Sequence, residues 1–362
     1  MKKTAPLHAF FHNELRALFL PMLRAVWQRP AMLGYYLRFL RNQVRADARR
    51  RRNARRGLHI PPFLIMSVTK ACNLRCTGCY SHAIDCGKPR REEMGLRDFA
   101  RVFADADRYG IGIVMIAGGE PFMRREVVEF CAKFKNITFT VYTNGTLLNE
   151  TDLHLLRRNK HIHIYFSLEG NETETDRRRG AGVYAGIAAA MEKLRERAMY
   201  FAVSVTVTSE NLGIVSSDAF VADLVRKGCC YFNYVEFEAV EEGSEALRLN
   251  DAQRGALIRS LDRFRAQYRA TLFAAFPGYE YKSGGCLAAG KGFFHINAYG
   301  DAEPCNFIPL SDTSVIGRSL PEVLDSPLFL KLRGDAILDS PQNNECALLA
   351  RREELARIAG DI

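Results

Sequence analysis

From Pro61 onward, short β-rich runs alternate with stretches long enough for crossover helices, and this alternation constrains the fold more than any other feature of the chain. Strands are expected at Phe63–Val68, Ile111–Ala117, Ile137–Tyr142, His161–Leu168, Phe201–Thr208 and Tyr231–Phe237. Helical periodicity is clearest at Leu96–Arg108, Tyr184–Arg197 and Phe220–Lys227, with a further helix at Leu261–Tyr268. Repetition of this kind implies a parallel sheet, either doubly wound or curled into part of a barrel. In both arrangements functional groups gather at the C-terminal ends of the strands.

The two ends of the chain have other textures. Leu15, Leu18, Phe19, Met22, Leu23, Val26 and Trp27 recur at helical spacing, as do Leu33, Tyr36, Leu37, Leu40 and Val44 after Pro30. Two amphipathic helices are expected, followed by the basic run Arg49–Arg56 and a hinge at Gly57. Residues 1–60 carry a net charge of +12 where the whole chain carries +10, so the remainder is slightly acidic. A basic arm points to docking rather than to a polyanionic substrate. Three readings of it stay open: helices packed on the main domain with solvated arginines, attachment to a membrane interface, or RNA contact.

His12, Asn13, Glu14 and Arg16 break the apolar stretch that an export signal would need, and no run approaches the ~18 apolar residues of a membrane span. Ten cysteines without such a signal indicate a reducing compartment and metal or redox use. The expected location is cytoplasmic, with residues 1–60 available for peripheral contact at the inner membrane surface. Near Phe276 a glycine-rich segment begins, with Gly284, Gly285, Gly290, Gly292 and Gly300 around Cys286. A hairpin is expected from Phe293–Asn297 and Ala302–Cys305. The domain expectation is a helical arm at 1–60, an α/β core at 61–270 and a small α+β domain at 271–362.

The first strand runs into Ser67-Val-Thr-Lys-Ala-Cys72-Asn-Leu-Arg-Cys76-Thr-Gly-Cys79-Tyr80. Three soft thiolates at these spacings can wrap one iron–sulfur cubane within a single loop and leave its fourth iron open. His82 offers a Cys₃His zinc site as the alternative. The Cys-x3-Cys-x2-Cys spacing, followed by an aromatic residue and placed after the first strand, resembles the signature of the radical SAM superfamily. That resemblance implies a partial (β/α)₆ barrel in which a [4Fe-4S] cluster on Cys72, Cys76 and Cys79 binds S-adenosylmethionine and cleaves it reductively. The resulting 5′-deoxyadenosyl radical abstracts hydrogen from a substrate.

Further segments are similar to the family's. Ala117-Gly118-Gly119-Glu120-Pro121 looks like its GGEP segment, which receives the methionine amino group of the cofactor; glycines let a backbone approach a ligand and an anion balances an ammonium. Thr143-Asn144-Gly145 is similar to a TNG turn. Ser167-Leu-Glu-Gly170, continuing to Arg179, looks like the SLDG segment, whose serine and arginine contact the cofactor carboxylate. The resemblance therefore implies a cofactor site of Tyr80, Gly118, Gly119, Glu120, Asn144, Ser167 and Arg179. Glu169 stands where the pattern has Asp and receives no role; Arg177 and Arg178 are equally basic and open to a solvated reading.

The segment from Gly284 to Cys305 resembles the opening of a SPASM or Twitch extension, which implies an auxiliary cluster on Cys286, Cys305 and Cys346. The alternative is that these three are small buried hydrophobes. Cys131, Cys229 and Cys230 read as core, and Cys86 lies near the cluster loop. By resemblance the partners are S-adenosylmethionine, a reductant such as flavodoxin or ferredoxin, and a peptide or protein substrate. Two other functions remain open from the sequence: radical chemistry on a lipid or isoprenoid, and a zinc or iron–sulfur module without enzymatic activity.

Overall fold

All six expected strands form: β1 (Phe63–Ser67), β2 (Ile113–Ala117), β3 (Thr138–Thr143), β4 (Ile162–Leu168), β5 (Phe201–Val207) and β6 (Tyr231–Glu236). Three more follow: β7 (Leu272–Phe276), β8 (His295–Ile296) and β9 (Ala302–Glu303). The computed structural model describes residues 20–84, 91–276, 285–334, 338 and 346–360. Leu15, Leu18, Phe19, Cys86 and Gly284 lie outside them.

The principal helices are α1 (Leu33–Ala54), α2 (Leu96–Tyr109), α3 (Arg125–Cys131), α4 (Glu150–Arg158), α5 (Glu172–Arg179), α6 (Val183–Glu196), α7 (Asp218–Arg226) and α8 (Asp251–Gln267). Helix α2 shows why these segments coil. Phe99, Val102, Phe103 and Ala106 fall on one face and are buried, and Gly110 ends the helix at φ +100, a conformation that favours glycine. Helices α4 and α8 start at Asn149 and Asn250, whose side chains accept the backbone N–H of Asp152 and Gln253.

The chain divides into two compact units. One comprises Met1–Leu37, Leu74–Ala83 and Tyr142–Tyr279. Its strands run parallel in the order β7-β6-β5-β4, with Tyr231 beside Leu272 and Phe201 beside Ile164. Phe166, Phe201, Phe232, Tyr234 and Phe264 form its fully buried centre. The other comprises Arg38–Asn73, Ile84–Val141 and Glu280–Ile362. Its order is β3-β2-β1-β8-β9, parallel except for the antiparallel β8–β9 pair. Leu64, Met66, Phe103, Val114, Ile116 and Phe139 fill its core.

Strand β7 was not expected. Leu-Phe-Ala-Ala-Phe is too short and too uniformly apolar for alternation to reveal it, and the strand is recognisable only by its pairing with β6. Strand β8 is more than half of a hairpin, because it also extends the sheet beside β1, with Ile65 opposite His295.

Of the basic arm, residues 20–28 and α1 are helical, and the inner face of α1 is docked through specific contacts. Gln43 donates to the carbonyl of Gly112 (3.2 Å) just ahead of β2, and Asn42 donates to Thr138 Oγ1 (3.5 Å) at the start of β3. Arg50 donates to the Gly110 carbonyl (2.7 Å) and Asn53 to that of Tyr109 (2.8 Å), while Arg49 pairs with Asp107. A Cβ on Gly110 would stand 2.5 Å from the carbonyl oxygen of Ala46, and one on Gly112 would stand 2.6 Å from Gln43 Oε1. At Gly110, where the obstacle is backbone and φ is +100, glycine is what admits the helix. Arg49 and Arg50 are thus structural contacts and not solvated charges. No helix among the described residues is long and apolar enough to cross a membrane.

Candidate active site

In each unit several of the residues expected to carry chemistry follow the C-terminal ends of strands: the Gly118–Glu120 segment after β2, Asn144 after β3 and Glu169 after β4. In the unit containing β4, Glu169 directly follows that strand and is 1% exposed. Its backbone N–H donates to Thr175 Oγ1 (3.3 Å), and its carbonyl accepts from Asn211 Nδ2 (2.8 Å). Helix α5 then turns back so that its last residues, Arg177, Arg178 and Arg179, lie at different depths.

These three arginines have different fates. Arg177 reaches only Glu210, both more than half exposed. Arg178 donates to Glu169 Oε1 (2.6 Å) and to the carbonyls of Thr77 (3.0 Å) and Gly78 (3.4 Å), and its own carbonyl accepts from Thr77 N–H (3.0 Å). Arg179 donates to the same Glu169 oxygen through Nε (2.9 Å) and Nη2 (2.6 Å), and its Nη1 lies 4.0 Å from Cys76 Sγ. One buried carboxylate therefore orients two guanidinium groups, and those groups hold the cysteine loop.

Burial pushes the Cys76 thiol up, and Arg179 pulls it back toward the thiolate. Burial by itself lowers Arg179, but Glu169 and then Cys76 outweigh it and keep the guanidinium charged. Glu169 Oε2 is buried and has no hydrogen-bond partner among the described residues. Tyr80 opens a short helix, Tyr80–Ala83, right after Cys79. Asn144 Oδ1 accepts from Thr146 N–H (3.0 Å) and its hydroxyl (2.7 Å), closing the turn at which Gly145 adopts φ +74. Ser167 lies on β4, two residues before Glu169, and is half-buried.

In the unit containing β1 and β2, Gly118 and Gly119 approach the chain that leads into Cys72. Gly119 N–H donates to the Thr69 carbonyl (2.7 Å) and Glu120 N–H to that of Ala71 (2.8 Å). A Cβ on Gly118 would collide with the Thr69 carbonyl, and one on Gly119 with that of Ala71. The close neighbour these glycines admit is the protein's own backbone. Glu120 is 1% exposed, and its Oε1 accepts from Phe122 N–H (3.0 Å) at the start of the next helical turn.

Sequence reasoning missed two supports of this loop. Glu93 accepts from Lys70 N–H (2.6 Å) and Thr69 Oγ1 (3.0 Å), and Arg124 donates to the carbonyls of Val68 (2.9 Å) and Met94 (2.6 Å). It also missed a buried polar chain beside the loop. Ser67 Oγ meets His295 Nε2 (2.8 Å), His295 Nδ1 meets Glu303 Oε2 (2.7 Å), and Asn297 donates to Glu303 Oε1 (2.8 Å). The alternation in the β8–β9 hairpin, which sets His295 opposite Glu303, is the signal that could have found it.

Of the C-terminal cysteines, Cys305 is buried, and Cys286 and Cys346 are intermediate. The segments bearing the first two run side by side, since Ala289 N–H donates to the Pro304 carbonyl (3.0 Å). Cys131, Cys229 and Cys230 are buried in the core as expected, and burial raises all three thiols. Among the described residues no three His, Cys, Asp or Glu side chains converge closely enough to hold a single metal ion. A cubane spreads its thiolates over separate irons, so three uncrosslinked cysteines along one loop, with a guanidinium beside Cys76, form a donor set suited to it.

Comparison with known proteins agrees with this donor set. Residues 66–213 match the family model of the radical SAM superfamily. Over 172 residues the chain is 32% identical to the mycofactocin maturase MftC of Mycobacterium ulcerans (strain Agy99), covering 46% of each protein. It is 24% identical over 306 residues to the AdoMet-dependent heme synthase of Methanosarcina barkeri (strain Fusaro / DSM 804), covering 75% of this chain and 85% of the synthase. The chain thus spans less than half the length of the maturase. Among solved structures, Streptococcus suis SuiB bound to its precursor peptide SuiA superposes with a TM-score of 0.65 at 17% identity, covering 79% of this chain and 70% of SuiB. That likeness shows the fold, an open α/β barrel with a parallel sheet, and extends beyond the family-matched segment. Enzymes of the superfamily use a [4Fe-4S] cluster and S-adenosylmethionine. The matched segment contains the cysteine loop and the strand ends that support it, so residues 66–213 form a domain of the radical SAM superfamily type.

Proposed function

We propose that Cys72, Cys76 and Cys79 hold the [4Fe-4S] cluster and that this enzyme modifies a peptide or protein by hydrogen abstraction. The observation that carries the cluster assignment is the Glu169–Arg178–Arg179 clamp, which fixes the backbone of Thr77 and Gly78 and sets a guanidinium at the Cys76 sulfur. Bound there, the cluster would supply the one-electron reduction by which S-adenosylmethionine is cleaved. The protein's part is to position and shield. Glu93 and Arg124 keep residues 68–71 in place ahead of Cys72, and the Gly118–Glu120 backbone runs against them. Ser167, Asn144 and Tyr80 are assigned to the cofactor by their places at strand ends and beside Cys79. The free Glu169 oxygen is available to a donor group on the cofactor.

A peptide substrate is supported by SuiB, solved with a precursor peptide, and by MftC, a maturase. The auxiliary cluster is assigned to Cys286, Cys305 and Cys346, supported by the pairing of the segments that bear Cys286 and Cys305. The test is anaerobic reconstitution of the full chain, followed by dithionite and S-adenosylmethionine. Formation of 5′-deoxyadenosine and methionine is expected. About eight irons per chain are expected for the wild type and about four for Cys286→Ala. Four irons in both proteins would remove the auxiliary site, and bound irons without 5′-deoxyadenosine would overturn the reading.

A further inference from the structure

The outer face of the N-terminal arm is apolar and basic, and it has no partner among the described residues. Leu20 (59% exposed), Leu23 (52%) and Trp27 (88%) project from the helical residues 20–28. On α1 the exposed positions continue through Leu33, Leu37, Arg41, Val44 and Arg45, which share one helical face. Six of the ten large hydrophobic side chains that are exposed among the described residues lie between Leu20 and Val44, so the patch is a concentration and not a scatter.

The opposite face of the arm explains why this one is free. Met22, Ala25, Met32, Tyr35 and Tyr36 are buried, and Arg29 donates to the carbonyls of Val225 (2.9 Å) and Gly228 (2.8 Å) ahead of β6. Tyr36 packs edge-on against Tyr200, which directly precedes β5. In the other unit Gln43 and Asn42 reach the starts of β2 and β3. In both units, then, the arm sits at the N-terminal ends of the strands, and the motif residues occupy the C-terminal ends.

We propose that the exposed face of residues 20–45 lies on an anionic membrane surface and tethers the enzyme there, with the strand ends that carry the motif residues turned away from the lipid. Leucines and a tryptophan with arginines on the same face are the chemistry of an interfacial helix. Arg24, Arg41 and Arg45 have no carboxylate partner among the described residues, whereas Arg49, Arg50 and Arg51 are held by Asp107 and Asp47. Charge decides the occupant. A second copy of the chain on a two-fold axis would set this basic patch against itself. Nucleic acid would need stacking side chains interleaved with the arginines, and the patch offers a single tryptophan. A substrate of the tethered enzyme reaches the motif residues from the aqueous side, so the arm serves placement and not extraction of a lipid.

Trp27 is the only tryptophan in the chain and reports binding directly. The full-length protein is titrated with phosphatidylcholine vesicles, with and without phosphatidylglycerol. A blue shift of Trp27 emission and co-sedimentation are expected only with the anionic vesicles, and both are expected to disappear on going from about 0.05 to about 0.5 M salt. The double substitution Arg41→Gln, Arg45→Gln is expected to lower the partition coefficient about 30-fold, from ~1 kcal/mol per charge, with the circular dichroism unchanged. Absence of binding to anionic vesicles, equal binding to neutral ones, or a lipid-free blue shift that grows with protein concentration would each overturn the proposal.

Discussion

Replacing Cys76 with alanine is expected to reduce the iron bound at the radical site from about four per chain to background and to stop 5′-deoxyadenosine formation. The reason lies in the number of thiolates. A loop with three cysteines holds three irons of a cubane and has no spare ligand, and the next residue at the Cys76 sulfur is Arg179, a cation that cannot replace it. The fold should survive, because Cys76 lies in a loop and is not part of a close-packed core. Cys131→Ala is the matched control. That thiol is buried in α3, donating to the Val127 carbonyl (3.3 Å), so its loss should lower stability and leave the iron count unchanged. Iron and sulfide assays on the two variants separate these outcomes.

The largest effect on stability is expected at Glu169. Replacement by leucine leaves Arg178 and Arg179, with 16% and 11% side-chain exposure, without their shared carboxylate. Removing one partner of a buried ion pair costs about 3–5 kcal/mol, because the remaining charge stays desolvated and uncompensated. Urea unfolding should register that loss. The cysteine loop should also loosen, since Arg178 anchors the carbonyls of Thr77 and Gly78. Glu210→Ala, which frees only the exposed Arg177, should change stability by about 0–1 kcal/mol. Comparable losses in the two variants would mean that the clamp is not an organising feature of the site.

Much of this arrangement was legible in the sequence. The six core strands could be read because their runs are bounded by turns and separated by periodic helices, and parallel strands joined by helices carry functional groups at one end. What escaped depends on partners far away in the chain. Leu272–Phe276 has no alternation of its own, and its role as β7 comes from β6. Residues 177–179 are three identical side chains in sequence; only the turn of α5 decides that Arg177 faces solvent while its neighbours share Glu169. Gly118 and Gly119 were read as room for a ligand, and the structure shows them making room for Thr69 and Ala71. The hairpin pattern could pair His295 with Glu303, but nothing local pointed to its other partner, Ser67, 228 residues away. The Arg49–Arg56 run shows the same limit, since composition reports its charge but not which arginines turn inward to Asp107 and Gly110.

A cluster on the three cysteines of the loop leaves one iron open for S-adenosylmethionine. The most direct measurement is low-temperature electron paramagnetic resonance of the anaerobically reconstituted, dithionite-reduced full chain, with Cys286→Ala used to remove the auxiliary contribution. A reduced [4Fe-4S] signal that shifts on adding S-adenosylmethionine is the predicted result. A signal that is unchanged by S-adenosylmethionine, or a protein that binds zinc and shows no such signal, would contradict it.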